Sequence, residues 1–599
     1  MATPTDTSAR PRPKKYGYLR LGTLSLVYLL MGIHIAHWKF GSGKTLAPLE
    51  LNEVMHTLEL GIITAGFILM AVAVLSVLIV GRFFCSWGCH ILALQDLSAW
   101  LLDKVGIHPK PVRLRTLVLV GPGAMVYMFV WPQVKRVLEG RELPILHITS
   151  DQSGWASFMT DDFARNLPGL GMTIVTFIFV GFVTIYFLGS RSFCRYACPY
   201  GALFSIADRI APGNIVAKGD RVDCASCGIC TAKCESNIRV HEELTVFGQI
   251  VDPSCLKDLD CISNCPNGSI GFGFTKPALF KSWTKPAGIK RPRYDFTIYE
   301  EVLLSLVFFA VLLSYRGLYG LFPFLLTLAM GVVFAYCTLL CLRLIWKPQV
   351  RLNNFQLKIK GKVTKAGFGF VGLVVVVGSL SVHSGIIRYH EHVGWRAVGL
   401  LEGYQEHHQR VQSSDSFDPA STIELAIKHL SITDRWGLYH ARVLGEKLGE
   451  LHVSSALMLA ERSEPAAAIE ILGQAAAEYP DSALVHHNLG GLLAMSGRTS
   501  EAITEYENAL KIDQGDADTW NTLGFLLFSI ERFDNAEYCF RASIDRNSEL
   551  AHPHYNLARL MAMLGKSDDV RFHIERAAQL DPQTYSEALD RLNQATQGP

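Results

Sequence analysis

Charge-free apolar runs constrain this chain more than any other feature. "LGIITAGFILMAVAVLSVLIV", residues 60–80, and the run that begins "FGFVGLVVVVGSLSV" at Phe368 are each long enough to cross a bilayer. A helix rising about 1.5 Å per residue needs about 20 apolar residues to do so. In hydrocarbon each backbone N–H and C=O must find its partner within the segment, and a helix provides it. Seven spans are expected on this basis, near 18–38, 60–84, 115–134, 168–189, 302–318, 321–345 and 367–387. At 599 residues the chain also exceeds one ordinary domain. Its apolar share, 49%, is ordinary, so the clustering of those residues carries the inference.

Lys and Arg in short loops set the orientation. The basic stretches "ARPRPKKYGYLR", "DKVGIHPKPVRLR" and "RLIWKPQVRLNNFQLKIKGKVTK" are expected in the cytoplasm, with residues 190–297. Loops 39–57 and 140–166, and everything after 388, then lie outside; Lys135, Arg136 and Arg141 conflict with this scheme. The expected location is a bacterial cytoplasmic (inner) membrane, crossed several times, with the lipid bilayer as a constant partner. The net charge is +2, with 56 basic against 54 acidic residues, and no nucleic acid partner is expected.

Beyond the last span the sequence repeats every 34 residues. Leu489-Gly490, Leu523-Gly524 and Leu557-Ala558 are in phase, as are Ala468, Ala502 and Ala536, and Tyr506 and Phe540. This pattern resembles tetratricopeptide repeats, helix pairs that stack because no single pair buries its own apolar face. The expected divisions are a tail at 1–17, a four-span region at 18–189, a cysteine-rich module at 190–297, and three spans at 298–388. A connector follows at 389–448 and a periplasmic repeat domain at 449–590, positioned to hold a protein partner.

Thirteen of the fourteen cysteines lie between Cys85 and Cys341, a distribution unlike a disulfide framework. "CASCGICTAKC" places Cys224, Cys227, Cys230 and Cys234 at the C-x2-C-x2-C-x3-C spacing of an iron–sulfur site. In a two-cluster ferredoxin the fourth cysteine of such a run serves the other cluster. By that rule Cys224, Cys227, Cys230 and Cys265 form one set. Cys255, Cys261 and Cys234 belong to the other, with Asp258 where a cysteine is expected. Zinc is the alternative metal, but seven thiols overfill one four-coordinate site. Two [4Fe-4S] clusters are expected. For the second, three outcomes stand open: an Asp258-ligated four-iron cluster, a [3Fe-4S] cluster with an empty corner, or none. The bland reading of Asp258 is a solvated loop residue beside Asp260.

An internal repeat supplies more thiols. "RFFCSWGCHILALQDL" from Arg82 and "RSFCRYACPYGALFSI" from Arg191 align Cys85 and Cys89 with Cys194 and Cys198. A spacing of four places each pair on one helical face. The four thiols could hold a further cluster or copper, undergo thiol redox, or pack.

Two C-x3-C motifs after spans, followed by a two-cluster module, resemble the NapH/NosR/CcoG-type membrane polyferredoxins. The family motif is C-x3-C-P: Cys198-Pro199 matches it and Cys89-His90 departs. The resemblance covers about residues 60 to 280 and not the repeats. No S/T-G-A-T motif is present, so the covalent flavin of NosR-like members is not implied.

Weaker signals remain. Cys337 and Cys341 lie in a span, where cysteines usually pack. His34, His37, His56 and Glu59 lie near the outer ends of the first two spans, as a quinol or metal site would require. "GFGFVG", Gly367 to Gly372, opens a span and so fails the strand–turn–helix context of a nucleotide loop.

The expected fold is an α-helical polytopic membrane protein of about seven spans, with an inserted ferredoxin module and an all-α repeat solenoid. The expected function is electron transfer between the quinone pool, or a cytoplasmic donor, and a partner held by the repeats. A CcoG-like cupric reductase and a non-redox assembly scaffold are the alternatives.

Overall fold

The computed structural model describes residues 15–596, except 42, 110–111, 113, 149–155, 164–168, 219–226, 283–293, 409–416 and 440–441. The chain divides into two compact units, Met1–Gly385 and Ile386–Pro599.

Among the described residues five helices are long and apolar enough to cross a membrane by length and composition: Lys15–Phe40, Leu170–Leu188, Ile298–Tyr315 and Phe324–Trp346 in the first unit, and Lys365–Tyr404, which begins there. The other two expected spans take different forms. Thr64 caps the helix Ala65–Val80 by accepting from Phe67 N–H, and Gly81 at φ 75° stops it after 16 residues. That length rises about 24 Å, short of a full hydrocarbon crossing. Residues Leu117–Leu138 pass from a 3-10 turn through α and π turns to a last α segment that carries Pro132 near its start.

Burial separates a central helix from peripheral ones. Phe324–Trp346 buries 67% of its most apolar 18-residue stretch, whereas Lys15–Phe40 buries only Arg20 and Leu24. A helix that leaves Leu21, Leu29, Leu30 and Ile33 uncovered is suited to lipid and costly in water.

Helix ends gather in two sets. At one, Val112 N–H bonds Leu188 C=O at 3.1 Å and Glu301 accepts from the N–H groups of Arg115 and Thr116 at 3.2 Å. There too Arg343 grips Glu300 with two bonds of 2.7 and 2.8 Å. At the other set Trp38 bonds Asp161 C=O at 2.6 Å, and strands Thr45–Leu46 and Met159–Thr160 pair. Arg136 donates to Glu59 C=O at that end, and Glu139 pairs with Lys135 and Arg141. The three cations that contradicted the charge rule are therefore held by local acceptors.

The ferredoxin module is built on an antiparallel pair, Gly213–Ala217 with Ile270–Phe274. Two short helices, Ile229–Ala232 and Asp260–Ser263, follow its cysteine loops. The strand begins where the 65–80 helix ends. A Cβ on Gly213 would lie 2.6 Å from Val80 Cα, so the backbones touch there. A three-stranded sheet, Val350–Leu352, Phe355–Ile359 and Lys362–Val363, precedes the last apolar helix, which contains Gly367 to Gly372.

Among the described residues the regular structure of the second unit is all helical. Antiparallel pairs run from Pro465–Glu478 and Ala483–Met495 to Ser567–Leu580 and Pro582–Thr596. Gly490 packs against the ring of Tyr506, and Gly524 against Phe540. In the flanking repeats the same two positions hold Ala456 with Leu472 and Ala558 with Ile574. Glycine thus accompanies an aromatic ring and alanine an aliphatic side chain, so the pair keeps its total volume.

Candidate iron–sulfur centres

Each C-x3-C motif sits where an apolar helix ends. After Gly81 the short helix Phe83–Trp87 carries Cys85, and Cys89 caps the next helix, His90–Lys104. After Gly189 the helix Ser192–Tyr196 carries Cys194, and Cys198 caps Pro199–Ile210. The two thiols of a motif therefore do not share one helical face, as the spacing suggested. Pro199 at the first helical position starts a new helix in one copy, and Gly88 breaks the chain in the other. Cys89 and Cys198 have matching backbone angles, −87°/118° and −75°/114°. Cys198 Sγ accepts from Gly201 N–H at 3.3 Å, and Cys89 faces the N–H groups of Ile91 and Leu92. A helix N-terminus aimed at sulfur favours the thiolate, the form that binds iron.

The four thiols share one apolar core with Phe204, Tyr200 and Leu256. Burial pushes Cys89 up to about 11 and Cys198 to about 12, and it raises Cys194 as well, with Cys198, Cys89 and Cys85 adding to the rise. Burial keeps these thiols protonated when no metal is bound, so an iron–sulfur group would bind here by displacing their protons. The donor set fits that group. Among the described residues no three His, Cys, Asp or Glu close on one point. A cavity of about 250 Å³ opens beside Cys194 and Cys198 and is walled by Pro253, Ser254 and Leu256 of the second ferredoxin loop.

In the ferredoxin module Cys230, Cys255, Cys261 and Cys265 are buried, Cys234 is half-buried and Cys227 exposed; Cys224 lies outside the described residues. Over their described residues the two motifs share backbone features. Gly228 and Leu259 are both left-handed, at φ 72° and 65°. Asn237 and Gly268, each three residues past the last cysteine, are left-handed too. Cys234 N–H bonds Thr231 C=O as Cys265 N–H bonds Ile262 C=O, at 3.3 and 3.4 Å. Leucine in a left-handed conformation is costly, which shows how firmly the loop is held. Burial pushes Cys255 up to about 12, with Asp258 and Cys234 adding to the rise. Cys261 feels Asp258, Cys255, Cys234 and Cys230. Cys230 and Cys234 of the first motif share one core with Cys255, Cys261 and Cys265 of the second.

Asp258 is not a solvated loop residue. It is 8% exposed, and its Oδ2 forms an ion pair with Arg191 Nη1. Arg191 also meets Glu235 at 2.8 Å and Asp96 at 3.8 Å, while Arg20 joins Asp96 at 3.1 Å and Asp260 at 2.9 Å. Desolvation alone would raise the Asp258 carboxyl, but the nearby guanidinium groups of Arg191 and Arg20 bring it below the usual range. Removing one member of such a buried network costs about 3–5 kcal/mol. Arg82, which heads the other repeat copy, donates to Pro253 C=O at 2.8 Å. Ser86 Oγ–H and Trp87 Nε1–H bond the carbonyls of Leu256 and Lys257 at 2.6 and 3.1 Å. Both repeat copies therefore hold the loop that carries Cys255 and Asp258.

Spacing assigns no role to the shared arginine of the two copies, and it marks Glu235 only as a departure from the proline expected after Cys234; Asp96 and Arg20 carry no motif. Their signal was charge beside a span end. The other candidates do not assemble. His34 meets Phe163 edge-on at 5.1 Å, Glu59 offers its carbonyl to Arg136, and His37 and His56 complete no metal cage among the described residues. Cys337 and Cys341 pack in the core around the central helix.

Comparison with known proteins fits this architecture. Residues 62–108 and 171–216, which contain the two C-x3-C motifs, match the family of 4Fe-4S binding domains, and residues 459–524 match the tetratricopeptide repeat. MauN of Methylorubrum extorquens, a methylamine utilization ferredoxin-type protein, is 26% identical over 34% of this chain and 67% of its own length. The ferredoxin-type protein NapH of Escherichia coli is 27% identical over 34% of this chain and 67% of its own. YccM of Escherichia coli is 24% identical over 39% of this chain, a match spanning only 63% of that protein. The fold and its cysteine sites define a membrane-type iron–sulfur protein. More particularly, its cysteine-bearing part is similar to the NapH and MauN ferredoxin-type proteins, and the chain also carries tetratricopeptide repeats.

Proposed function

We propose that this chain carries electrons in a membrane between a donor, quinol or cytoplasmic, and a redox protein held by its repeats. One observation carries the reading: the C-x3-C segments and the second ferredoxin loop bond directly through Arg82, Ser86, Trp87 and Arg191. Thiols of the two C-x3-C motifs and of the second ferredoxin motif are thereby held together.

In this reading Cys224, Cys227, Cys230 and Cys265 hold one cluster. Cys234, Cys255 and Cys261 hold a second, and Cys85, Cys89, Cys194 and Cys198 a third. Such groups supply one-electron carriage. The protein excludes water through burial and donates N–H groups to sulfur, which tunes the potential. The relatives' names support the electron-transfer role, and the repeats support a protein partner. The module and the basic loops face the cytoplasm of the inner membrane, and the repeats face the periplasm.

Anaerobic purification, iron and sulfide analysis, and paramagnetic resonance before and after dithionite test the reading. More than about four iron atoms per chain are expected, since one cubane accounts for four. Less iron than that, or no reducible signal, rejects it.

A further inference from the structure

We infer that Asp258 is the counter-ion of Arg191 and not an iron ligand, so that protein thiolates hold only three corners of the second ferredoxin cluster. The inference rests on the iron–sulfur reading above and specifies one of its sites.

Position 258 is where a ligand belongs. It corresponds to Cys227 of the first motif, and the residue after each is left-handed, Gly228 at φ 72° and Leu259 at φ 65°. The loop has kept the shape that presents a side chain to the cluster and changed the side chain. What occupies the carboxylate is therefore decisive. Its Oδ2 pairs with Arg191 Nη1, and its Oδ1 accepts Asp260 N–H at 3.1 Å. Both oxygens are engaged.

Arg191 has little freedom to release it. Its side chain is 2% exposed, Glu235 and Asp96 grip the same guanidinium, and its backbone is left-handed at φ 60° where it starts the Cys194 helix. For Asp258 to reach iron, this pair would have to open inside the protein. A hard carboxylate gains less from an iron–sulfur cluster than a thiolate does, while a charge-assisted bond in a buried site is strong. The ion pair prevails.

The internal repeat explains why such a substitution is useful. Arg82, at the equivalent position, holds the start of the same loop through Pro253 C=O at 2.8 Å. Asp258 lets Arg191 hold its middle. The position supplies a clamp between the ferredoxin module and the second C-x3-C segment, and Cys255, Cys261 and Cys234 are left to hold a three-iron cluster.

The test is paramagnetic resonance of the full-length chain, purified without oxygen and measured as isolated. An oxidised three-iron cluster is paramagnetic, whereas an oxidised four-iron cluster is silent. The wild type is expected to show the three-iron signal at one cluster per chain, and D258N to retain it. D258C, treated with ferrous iron and reductant, is expected to lose it and gain a four-iron signal on reduction. In each variant the first cluster's reduced signal reports that the module has folded. A wild type without the three-iron signal overturns the inference, whether or not D258N then acquires one. Loss of the signal in D258N, or its persistence in D258C, overturns it too. Absence of iron from every variant instead rejects the parent reading.

Discussion

Arg82 and Arg191 occupy one position of an internal repeat but reach different partners, a backbone carbonyl in one copy and a buried carboxylate in the other. Neither role is visible from spacing, because the partners lie far along the chain. The repeat unit holds a comparable pair in His554 and His573, 4% and 8% exposed, whose Nδ1 atoms are 3.0 Å apart. One ring must donate and the other accept, so the pair suits neutral imidazoles. Burial lowers both, and the neighbouring His554 and Arg541 help bring His573 to about 4 from the ordinary 6.5. A folded pKa below the unfolded one means the unfolded chain binds more protons in that interval. Stability is then complete above pH 6.5 and falls as the pH drops toward about 4. Protection factors in the helix Ala551–Met563, which allow for the intrinsic slowing of amide exchange in acid, should fall as the pH drops through this window in the wild type. In H573F the pH dependence should flatten; an equally steep one there would contradict the assignment.

At the scale of elements, the 34-residue period identified the helix pairs, and their packing adds a rule the period does not state. A Cβ on Gly524 would lie 2.9 Å from the Phe540 ring, too close without a shift. G524A is expected to destabilise its repeat by about 1–3 kcal/mol, the usual cost of overpacking. F540I alone should also destabilise, by leaving a cavity. The double variant reproduces the Ala558–Ile574 pair and should lose less than the sum of the two, as a double-mutant cycle of thermal unfolding would show. Additive losses would mean the two positions are not coupled. The C-x3-C motif gives the opposite lesson. A spacing of four suggested one helical face, yet Pro199 and the broken turn at Gly88 divide each motif between two helices. The second thiol becomes a cap, and its sulfur meets backbone N–H groups.

For the whole molecule, the cysteines assigned to iron all lie before Gly385, in the unit that contains the apolar helices. A chain ending after His408 should keep its iron and sulfide content while losing the repeats. A loss of iron in parallel would show that the second unit is needed to build the centres.

Apolar length and cysteine spacing told, from the sequence alone, that membrane-type helices, a two-motif ferredoxin module and a helical-repeat unit are present. Those signals are local: a span depends on its own residues, a cluster loop on a few neighbours, and a repeat on its period. The register of Cys255, Cys261 and Cys265 was legible for the same reason. What Asp258 does was not, since a carboxylate beside a cysteine loop reads equally as ligand, counter-ion or solvated charge. Its partner, Arg191, is distant in sequence and is brought to it when the second C-x3-C segment docks on the loop. Only the folded chain, by burying both charges together, makes their pairing the favourable arrangement.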